Sequence, residues 1–464
     1  MLHFLGFLLL VVGGVMLIPV PAAYIFTEAH LIPFFVAPAL TAIALGFLLR
    51  RRFRPTEITL GKAMVVVTFA WILFSAFSSV PYVFGSHMPA DDAYFESMSG
   101  LTATGLTMIS DVETTARTIL FWRSLTEWIG GVGIVILFLS ALLGFGKAAR
   151  KMYVAEARTE RIEPSIRHTV RSVWKIYVVM TVIGVAALYL TGLPMFEAIN
   201  HSMTGIATGG FSVRNTSFAG YGSPALAVAI LIMVAGATSF AVHRKVMAGH
   251  WRELFRNIEV RFMLAVILLA TLLLAFSVGV RDSLFQSTSA LTGTGFSTAN
   301  LAEWGDLQKG LLVVLMVMGG GYGSTSSAIK LIRIIIIGKA VHWMIKRSFL
   351  PDRAVLPAKV AGKEYTEREM METAVYAFIY LVVLIAGAVV LMLLGNPIMD
   401  SLFESASAQG NVGLTVGITS ASMPLAGKIS LIIQMLVGRL EIIPVVAFLS
   451  YLISKVPRPR QKPF

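Results

Sequence analysis

Residues Ser97–Thr107 read SMSGLTATGLT, and three later segments of the chain follow the same pattern. These are SMTGIATGGFS at Ser202–Ser212, STSALTGTGFS at Ser287–Ser297 and SASAQGNVGLT at Ser405–Thr415. Each begins with serine and has a small residue three positions later and a glycine eight positions later, followed by a large apolar residue and a serine or threonine. Because an internal repeat identifies an architecture better than any local motif, these segments decide the interpretation of the fold.

Long apolar stretches flank each of the four segments. The 464-residue chain is 56% hydrophobic and 14% charged, with a mean hydropathy of +0.78. Soluble domains average about 25% charged residues, so this composition indicates a membrane protein. Apolar stretches predict ten membrane spans, near residues 4–27, 33–50, 61–84, 117–145, 172–192, 223–243, 259–280, 308–345, 372–395 and 426–453. The stretch 308–345 is too long for one simple helix, and the first stretch is interpreted as a retained span because no Lys or Arg precedes it.

The loops between these stretches alternate in charge. Lys and Arg concentrate around residues 50–54, 147–171, 244–261 and 339–363 and in the C-terminal tail, whereas the other loops carry mainly Asp and Glu. The positive-inside rule places the basic loops, and with them both termini, in the cytoplasm. The same rule accounts for the net charge of +13 without a nucleic-acid partner. The chain has no cysteine, which excludes disulfides and thiolate catalysis.

The repeated segments suggest a specific chemistry. Irregular backbone at membrane depth is tolerated only where it is buried in protein or lines a water-filled path. Four glycine-bearing loops around one axis would stack rings of carbonyl oxygens, which can replace the hydration shell of a potassium ion. Short helices entering each loop would direct their partly negative C-terminal ends toward the pore and favour a cation. Small-residue helix contacts are the alternative, but they do not explain the shared residue order.

The four segments resemble the pore segments of the Trk/Ktr/HKT superfamily of potassium transporters, and within it the Trk-type membrane subunit, over about residues 60–464. This resemblance implies an all-α polytopic membrane protein with four pseudo-symmetric helix–pore loop–helix repeats around a central pore. The expected units are an N-terminal transmembrane helix pair (1–56), pore repeat 1 (57–150), pore repeat 2 (151–256), pore repeat 3 with an intramembrane loop (257–363), and pore repeat 4 with the C-terminal tail (364–464).

The resemblance also implies a potassium-binding selectivity filter at sixteen positions. They are Thr102, Ala103, Thr104, Gly105, Ala207, Thr208, Gly209, Gly210, Thr292, Gly293, Thr294, Gly295, Gly410, Asn411, Val412 and Gly413. In the family, glycine at the last position of all four repeats goes with potassium conduction, whereas serine in the first repeat goes with sodium preference in some plant members. The preceding positions differ among the repeats, so a sodium-permeable or ion-coupled transporter of the same architecture stays open as the alternative.

A second unusual stretch, GGGYGSTSS at Gly319–Ser327, lies within the long third-repeat span. Glycines and hydroxyl residues in a row would unwind a helix near the bilayer centre. The resemblance implies an intramembrane loop that blocks the path below the filter and must move for conduction. The expected gate residues are Gly319, Gly320, Gly321, Gly323, Ser324, Thr325 and Arg439.

Arg439 lies roughly 21 Å along the last apolar stretch, at about 1.5 Å per residue. An ionisable residue at that depth is usually functional, so we expect its charge to raise the barrier to conduction. A structural ion pair is the alternative, and its partner would not be Glu441, which does not share its helix face.

The other polar residues carry weaker signals. The pair Asp91 and Asp92 fits a helix cap or an attraction for cations at the pore mouth. Glu127 and Trp128 suggest an internal polar contact. An intramembrane enzyme acting on lipid-linked substrates would need convergent acid–base or metal groups, which the repeats do not supply. We therefore expect a transporter, with no catalytic residues and no covalently bound cofactor, whose transported ion is K⁺.

The resemblance further implies partners. It predicts a homodimer in the lipid bilayer of the cell (plasma) membrane, with no nucleic-acid partner. It also predicts a cytoplasmic ring of nucleotide-binding regulatory subunits that docks on the basic loops at 147–171, 244–261 and 346–368.

Overall fold

A computed structural model describes residues 1–55, 58–133, 166–351, 358–360 and 363–455. Regular structure there is α-helical except for one antiparallel hairpin, Ala358–Val360 (β1) with Lys363–Tyr365 (β2). In chain order the helices are α1 Leu2–Met16, α2 Pro19–Ile25, α3 Ile32–Arg52, α4 Leu60–Gly85, α5 Ala90–Thr102, α6 Arg117–Val132, α7 Ile166–Leu190, α8 Met195–Ile206, α9 Ser223–Gly236, α10 Phe240–Met247, α11 Glu253–Arg256, α12 Ile258–Val278, α13 Val280–Thr292, α14 Asp306–Met318, α15 Leu331–Arg347, α16 Glu367–Leu393, α17 Ile398–Gly410, α18 Leu425–Leu440 and α19 Ile442–Lys455. Short 3₁₀ turns occur at Ala29–Leu31 and Leu301–Glu303.

Six helical stretches in the described residues are long and apolar enough to cross a membrane: Leu2–Ile25, Ala29–Arg52, Leu60–Gly85, His168–Leu190, Ile258–Val278 and Glu367–Leu393. Two bent pairs raise the number to eight if each pair counts as one span. The bends are 106° between α9 and α10 and 116° between α18 and α19. Continuous hydropathy predicted straight spans at both places, so these breaks are findings of the structure.

The remaining two predicted spans are interrupted or incompletely described. The predicted stretch 308–345 divides into α14 and α15, separated by the irregular segment 319–330. The stretch 117–145 is described only as far as Gly133, and its continuation lies outside the described residues. The predicted count of ten spans therefore stays a prediction.

Four units with the same order follow the N-terminal helices: a long helix, a short helix and a second long helix. They are α4–α5–α6, α7–α8–α9, α12–α13–α14 and α16–α17–α18. The last helix of each unit packs against the short helix of the next: α6 against α8, α9 against α13, α14 against α17, and α18 against α5. This circuit returns to its start, which confirms the predicted all-α fold of four pseudo-symmetric repeats.

The N-terminal helices pack beside the first repeat. Helix α1 lies along α3, and both contact α4. The two backbones come close at Gly6 and Gly46, where a β-carbon on Gly6 would lie 2.8 Å from the Gly46 carbonyl oxygen. Small residues allow this approach, which is a common way to join helices in a membrane.

The four short helices have similar starts. Helices α5, α8 and α17 begin directly after Pro89, Pro194 and Pro397, and α13 begins after Gly279. Proline cannot continue a preceding helix because it lacks the N–H group, so each start is sharp. Each first turn contains a carboxylate, which complements the positive end of the helix dipole: Asp91 and Asp92 in α5, Glu197 in α8, Asp282 in α13 and Asp400 in α17.

Candidate functional site

The backbone after each short helix turns at the second position of the predicted filter segment. The φ angle is +53° at Ala103, +52° at Thr208, +72° at Gly293 and +51° at Asn411. Residues other than glycine and asparagine rarely adopt this left-handed conformation. At Ala103 and Thr208 the surrounding structure must therefore impose it.

The fourth position of each segment is also left-handed, and it is glycine in every repeat. The φ angles are +88° at Gly105, +81° at Gly210, +85° at Gly295 and +93° at Gly413. The residue between the two left-handed positions has no positive φ in any repeat. Residues of alternating handedness can direct their carbonyl oxygens to one side of the chain. Each segment can therefore present a row of oxygens.

The four filter glycines form a closed circuit with their neighbours. A β-carbon added to any of them would overlap a backbone carbonyl oxygen of the next repeat. The glycines and the carbonyls they meet are Gly105 with Gly209, Gly210 with Thr294, Gly295 with Val412, and Gly413 with Thr104. The ring thus closes only where no side chain intervenes, and each repeat contributes one of these glycines and one of these carbonyl groups.

One cavity lies on the open side of this ring. It has a volume of about 630 Å³ and is lined by the four filter glycines and by the hydroxyl residue two positions after each. We call this cavity, bounded by those glycines and by Thr107, Ser212, Ser297 and Thr415, the vestibule. The glycines are partly exposed to it, whereas the twelve other predicted filter residues are buried.

The first and third repeats share a side-chain arrangement within the filter. The hydroxyls of Thr102 and Thr104 lie 2.7 Å apart, and those of Thr292 and Thr294 lie 2.8 Å apart. The buried threonine hydroxyls of these two repeats therefore bond within their own segment.

The second and fourth repeats depart from that arrangement. Asn411 donates from its side-chain amide to Thr104 Oγ1 at 2.8 Å, which joins the fourth repeat to the first. Thr208 lies 3.2 Å from Thr325 through the two hydroxyl oxygens. The second repeat is therefore joined directly to the predicted gate loop.

A hydrogen bond between the short helix and the vestibule hydroxyl recurs in every repeat. The helix residue directly before the first serine of the segment lies eleven positions before its partner. The pairs are Glu96 with Thr107 at 3.0 Å, His201 with Ser212 at 2.9 Å, Gln286 with Ser297 at 2.8 Å, and Glu404 with Thr415 at 2.7 Å. We call these four pairs the filter braces; their helix side chains are fully buried.

Each vestibule hydroxyl also accepts a bond from the backbone N–H two residues later. The donors are Ile109 to Thr107, Arg214 to Ser212, Ala299 to Ser297, and Gly417 to Thr415. A hydroxyl that bonds its own backbone in this way stabilises a tight turn. The chain leaving each filter glycine is therefore held both by a local turn and by its short helix.

Buried charge is concentrated on the first repeat. Arg123 of α6 donates to the Glu96 carboxylate at 2.7 Å and to the Ser212 carbonyl at 3.1 Å, and its guanidinium lies 4.0 Å from the centre of the Phe211 ring. Glu127, one turn further along α6, accepts the backbone N–H of Phe211 at 3.0 Å. Two side chains of repeat 1 therefore hold the second filter segment.

Trp128 and Glu127 were predicted to form an internal polar contact, and in the structure the two side chains bind different partners. Trp128 donates from its indole nitrogen to Thr181 Oγ1 at 3.0 Å and stacks on Tyr177. Its role is to join α6 to α7, whereas Glu127 contacts the filter.

The predicted gate loop, residues 319–327, lies beneath the filter and forms most of the irregular segment 319–330. Ser326 Oγ is next to the α-carbon of Gly293, at 3.2 Å from where a β-carbon would stand. The Thr325 hydroxyl lies 2.9 Å from the Ile206 carbonyl and 2.8 Å from the Gly236 carbonyl. The loop is thus bonded to the filter end of α8 and to the broken end of α9.

Backbone bonds reinforce this attachment to the second repeat. Gly321 N–H donates to the Ala237 carbonyl at 2.9 Å, and Phe240 N–H donates to the Gly323 carbonyl at 3.0 Å. Tyr322 N–H donates to the Glu259 carboxylate at 2.9 Å. The break between α9 and α10 therefore supplies the backbone groups that hold the loop.

Arg439, in the last turn of α18, lies beside the gate loop. Its guanidinium donates to the Thr325 carbonyl at 2.9 Å and to the carbonyls of Gly130 and Gly131 at 2.5 and 2.6 Å. The two glycines are in the last turn of α6, where a cation is favoured by the helix dipole. Arg439 therefore joins three repeats: its own, the helix end of the first and the loop of the third.

Glu441 follows at the bend, where its φ angle is +63°. Its carboxylate lies 2.9 Å from the guanidinium of Arg333 on α15, and that guanidinium lies 4.0 Å from the centre of the Tyr376 ring. Its ion-pair partner is therefore Arg333. It connects the end of repeat 4 to the helix beyond the gate loop.

Asp91 and Asp92 form a contact that the sequence does not reveal. Lys428 on α18, which is nearly buried, pairs with Asp91 at 2.8 Å and with Asp92 at 2.5 Å. Lys309 on α14 makes the corresponding pair with Asp400 on α17 at 2.7 Å. The predicted helix cap is wrong, because Pro89 occupies the N-cap position and no side chain caps α5. Asp91 and Asp92 instead lie in its first turn and join repeat 4 to repeat 1, as Asp400 joins repeat 3 to repeat 4.

The filter braces and the helix breaks were not predicted. The signal for the braces was present as a polar residue directly before each first serine, although four positions carry three residue types, Glu, His and Gln. The signal for the breaks was weaker, because Gly236–Ser239 and Leu440–Glu441 interrupt otherwise apolar stretches. Within the described residues, no group of three or more His, Cys, Asp or Glu side chains is placed to hold a metal ion.

Comparison with known proteins agrees with this geometry. Residues 32–455 match the family model described as TrkH, cation transport protein. An uncharacterized cation transporter of Methanocaldococcus jannaschii is 37% identical over 98% of this chain and 96% of its own length. The Trk system potassium uptake protein TrkH of Salmonella typhimurium is 30% identical over 94% of this chain and 95% of its own length.

A solved structure has the same fold. The crystal structure of the potassium transporter TrkH from Vibrio parahaemolyticus matches with a TM-score of 0.83 and 27% sequence identity, and the match covers 98% of both chains. The similarity therefore extends over the whole four-repeat body and the N-terminal helices.

Proposed function

The chain belongs to the TrkH family of cation transport proteins, and from this premise we propose that it carries potassium ions across the membrane through a channel-like pore between its four repeats. The observation that carries the proposal is the closed circuit in which each filter glycine meets a carbonyl oxygen of the next repeat. Rings of carbonyl oxygens can replace the water around a potassium ion. The potassium uptake named for the Salmonella relative supports the choice of ion.

The sixteen filter residues would supply these rings. The short helices α5, α8, α13 and α17 end directly before or within the filter segments, so their partly negative C-termini are directed toward the axis. Potassium would leave its water in the vestibule and enter the filter as the cargo of the protein. Membrane potential would drive it, with about 2.3 kcal/mol per charge for every 100 mV.

The loop at 319–330 would act as the gate. Its position beneath Gly293 and its bonds through Thr325 support a closed arrangement in which loop atoms lie on the ion path. Gly319, Gly320, Gly321, Gly323 and Ser324 would provide the backbone that moves. Arg439 would contribute in two ways, by adding positive charge beneath the filter and by holding the loop at the Thr325 carbonyl.

The same proposal includes the orientation of the protein in the membrane and its partners. The vestibule would face the outside of the cell membrane, and the basic loops and both termini would face the cytoplasm. The protein would form a homodimer and bind nucleotide-binding regulatory subunits on the basic loops at 147–171, 244–261 and 346–368. Residues 147–165 of the first loop lie outside the described residues.

Uptake of rubidium-86 into proteoliposomes that contain the purified protein tests the proposal. We expect external potassium to compete with rubidium far better than sodium does. Equal competition would favour the sodium-permeable alternative. If uptake is absent both with and without the regulatory partner, the proposal of a potassium pore is wrong.

A further inference from the structure

The filter braces connect the two ends of each filter segment. The segment begins at the end of its short helix, and its last residue, the left-handed glycine, is followed two positions later by the braced hydroxyl. The brace bonds that hydroxyl to a side chain of the short helix that leads into the same segment. Every filter segment is therefore closed into a loop by this side-chain hydrogen bond, and in repeats 1 and 4 the carboxylate also accepts the next backbone N–H, from Met108 to Glu96 and from Val416 to Glu404.

The side chains at the brace positions differ in type among the four repeats, but each of them forms a hydrogen bond with the vestibule hydroxyl. Thr107 and Thr415 donate their hydroxyl hydrogens to the carboxylates of Glu96 and Glu404. In the third repeat the direction reverses: Gln286 donates from its amide to Ser297, which in turn donates to the Ala299 carbonyl at 2.7 Å. Simple packing would require no hydrogen-bonding group at this place, yet all four repeats have one.

We propose that Glu96, His201, Gln286 and Glu404 are positioning residues that fix the filter carbonyls and thereby set the preference for potassium over sodium. The inference rests on the proposed potassium pore and goes beyond it by assigning selectivity to side chains that do not touch the ion. Glycine can adopt backbone angles of either sign, so nothing intrinsic keeps its carbonyl directed at the axis. The short helix holds one side of each glycine and the brace holds the other.

The third-repeat pair offers the cleanest test, since neither Gln286 nor Ser297 is charged. Gln286→Met keeps the size of the side chain and removes the donor, whereas Ser297→Ala removes the acceptor from the other side of the same bond. The readout is the ratio of potassium to sodium concentrations that half-inhibit rubidium-86 uptake. We expect each variant to reduce the preference for potassium roughly fivefold, the effect of one hydrogen bond of ordinary strength on an equilibrium.

Two further variants separate positioning from general stability. The double variant Gln286→Met, Ser297→Ala should be no less selective than either single variant, because all three lack the same bond. Gln286→Glu should be more selective than Gln286→Met, since the Ser297 hydroxyl can turn its one hydrogen from the Ala299 carbonyl to the carboxylate, as the threonines donate to Glu96 and Glu404. Thr181→Val is the control: it removes a buried side-chain bond between α6 and α7, which Thr181 accepts from Trp128 at 3.0 Å, and should keep the wild-type ratio.

The outcomes distinguish a failure of the proposed function from a failure of the brace proposal alone. A wild-type protein with no preference for potassium would overturn the proposed function itself. A selective wild-type protein whose Gln286→Met and Ser297→Ala variants are as selective as the wild type would overturn only the brace proposal, as would an equal loss of selectivity in Thr181→Val. If Gln286→Met does not fold, Ser297→Ala leaves the helix unchanged and decides the question.

Discussion

The α-carbon of Gly413 lies against the carbonyl oxygen of Thr104, so the last filter segment of the chain closes on the first. This contact completes a ring that needs no second subunit. Because a β-carbon on Gly413 would overlap that oxygen, the contact also explains why the residue is glycine. The central claim, a potassium filter built by one chain, depends on it.

Substitution of this glycine should abolish selective uptake. In Gly413→Ala the added methyl group must displace the Thr104 carbonyl, and we expect the rate of rubidium-86 uptake to fall more than about tenfold, which corresponds to about 1.4 kcal/mol. Gly417→Ala is the matched control. Gly417 has a φ of +94°, against +93° at Gly413, but no atom lies within 4 Å of its β-carbon position.

The control separates backbone strain from the ring contact. Both alanine variants carry the cost of a left-handed residue, about 1 kcal/mol. Only Gly413→Ala also disturbs the ring, so Gly417→Ala should retain most of the uptake. Similar losses in the two variants would mean that strain, and not closure of the ring, is responsible.

Replacing Arg439 with alanine should raise the rate of uptake. A positive charge at about 10 Å in an effective dielectric of about 20 repels a cation by roughly 1.7 kcal/mol, so we expect an increase of about twentyfold. Arg439→Lys tests the second role, since lysine keeps the charge but lacks the planar fork that reaches Thr325, Gly130 and Gly131. A rate for Arg439→Lys between those of the wild type and Arg439→Ala supports both roles. A wild-type rate for Arg439→Ala would show that the charge of Arg439 does not raise the barrier to conduction.

The Thr325 hydroxyl should restrain the gate loop. Thr325→Val keeps the shape of the side chain and removes its contacts with the Ile206 and Gly236 carbonyls, so the loop should leave its closed position more easily. We expect uptake to rise roughly twofold to fivefold, since each net hydrogen bond contributes about 1 kcal/mol at most. In the control, Thr373→Val, the lost bond to the Glu369 carbonyl lies within α16, outside the gate, and uptake should stay unchanged.

The Lys428 ion pairs should stabilise the contact between repeats 4 and 1. Lys428→Met leaves the nearly buried Asp92 carboxylate without its cation, which in proteins costs about 3–5 kcal/mol. We expect a clear fall in the midpoint of thermal unfolding in detergent. Lys245→Met, which breaks the exposed pair with Glu253, should change stability by less than about 1 kcal/mol; equal effects would show that the buried pair has no special importance.

A carboxylate beside the vestibule should attract cations. The Asn215 amide donates to Asp111 at 2.8 Å, and this bond lowers the pKa of Asp111 below its ordinary value. The charge is therefore retained at all pH values above that lowered pKa, and its effect should not change between pH 5 and 8. We expect Asp111→Asn to reduce uptake at low potassium by about twofold, with the difference disappearing at high ionic strength. A difference that persists in high salt would contradict an electrostatic role.

The repeats could be predicted from the sequence because glycine has no substitute at the ring. Gly105, Gly210, Gly295 and Gly413 recur at the same spacing since each must fit against a neighbouring carbonyl. The unwound segment at 319–330 could be predicted for a similar reason, as a run of glycines and hydroxyl residues is a poor helix former. Backbone requirements of this kind leave a mark on the local sequence.

Contacts between side chains that are far apart in the sequence cannot be recognised from the local sequence in this way. Asp92 pairs with Lys428, 336 residues later in the sequence, whereas the sequence predicted for it a helix cap or an attraction for cations at the pore mouth. The braces use Glu, His and Gln for one task, so residue identity conceals the repeat. The bend at Glu441 was missed because the flanking residues are as apolar as those of a straight span.

The most direct test of the central claim is to locate the ion. Crystals of the purified protein grown with rubidium in place of potassium would show the cation by its anomalous scattering. The account predicts peaks on the axis between the carbonyls of Thr104, Gly209, Thr294 and Val412, which sodium does not displace and which Gly413→Ala abolishes. Rubidium bound only outside this ring, or no peak on the axis, would contradict a potassium filter formed by the four repeats.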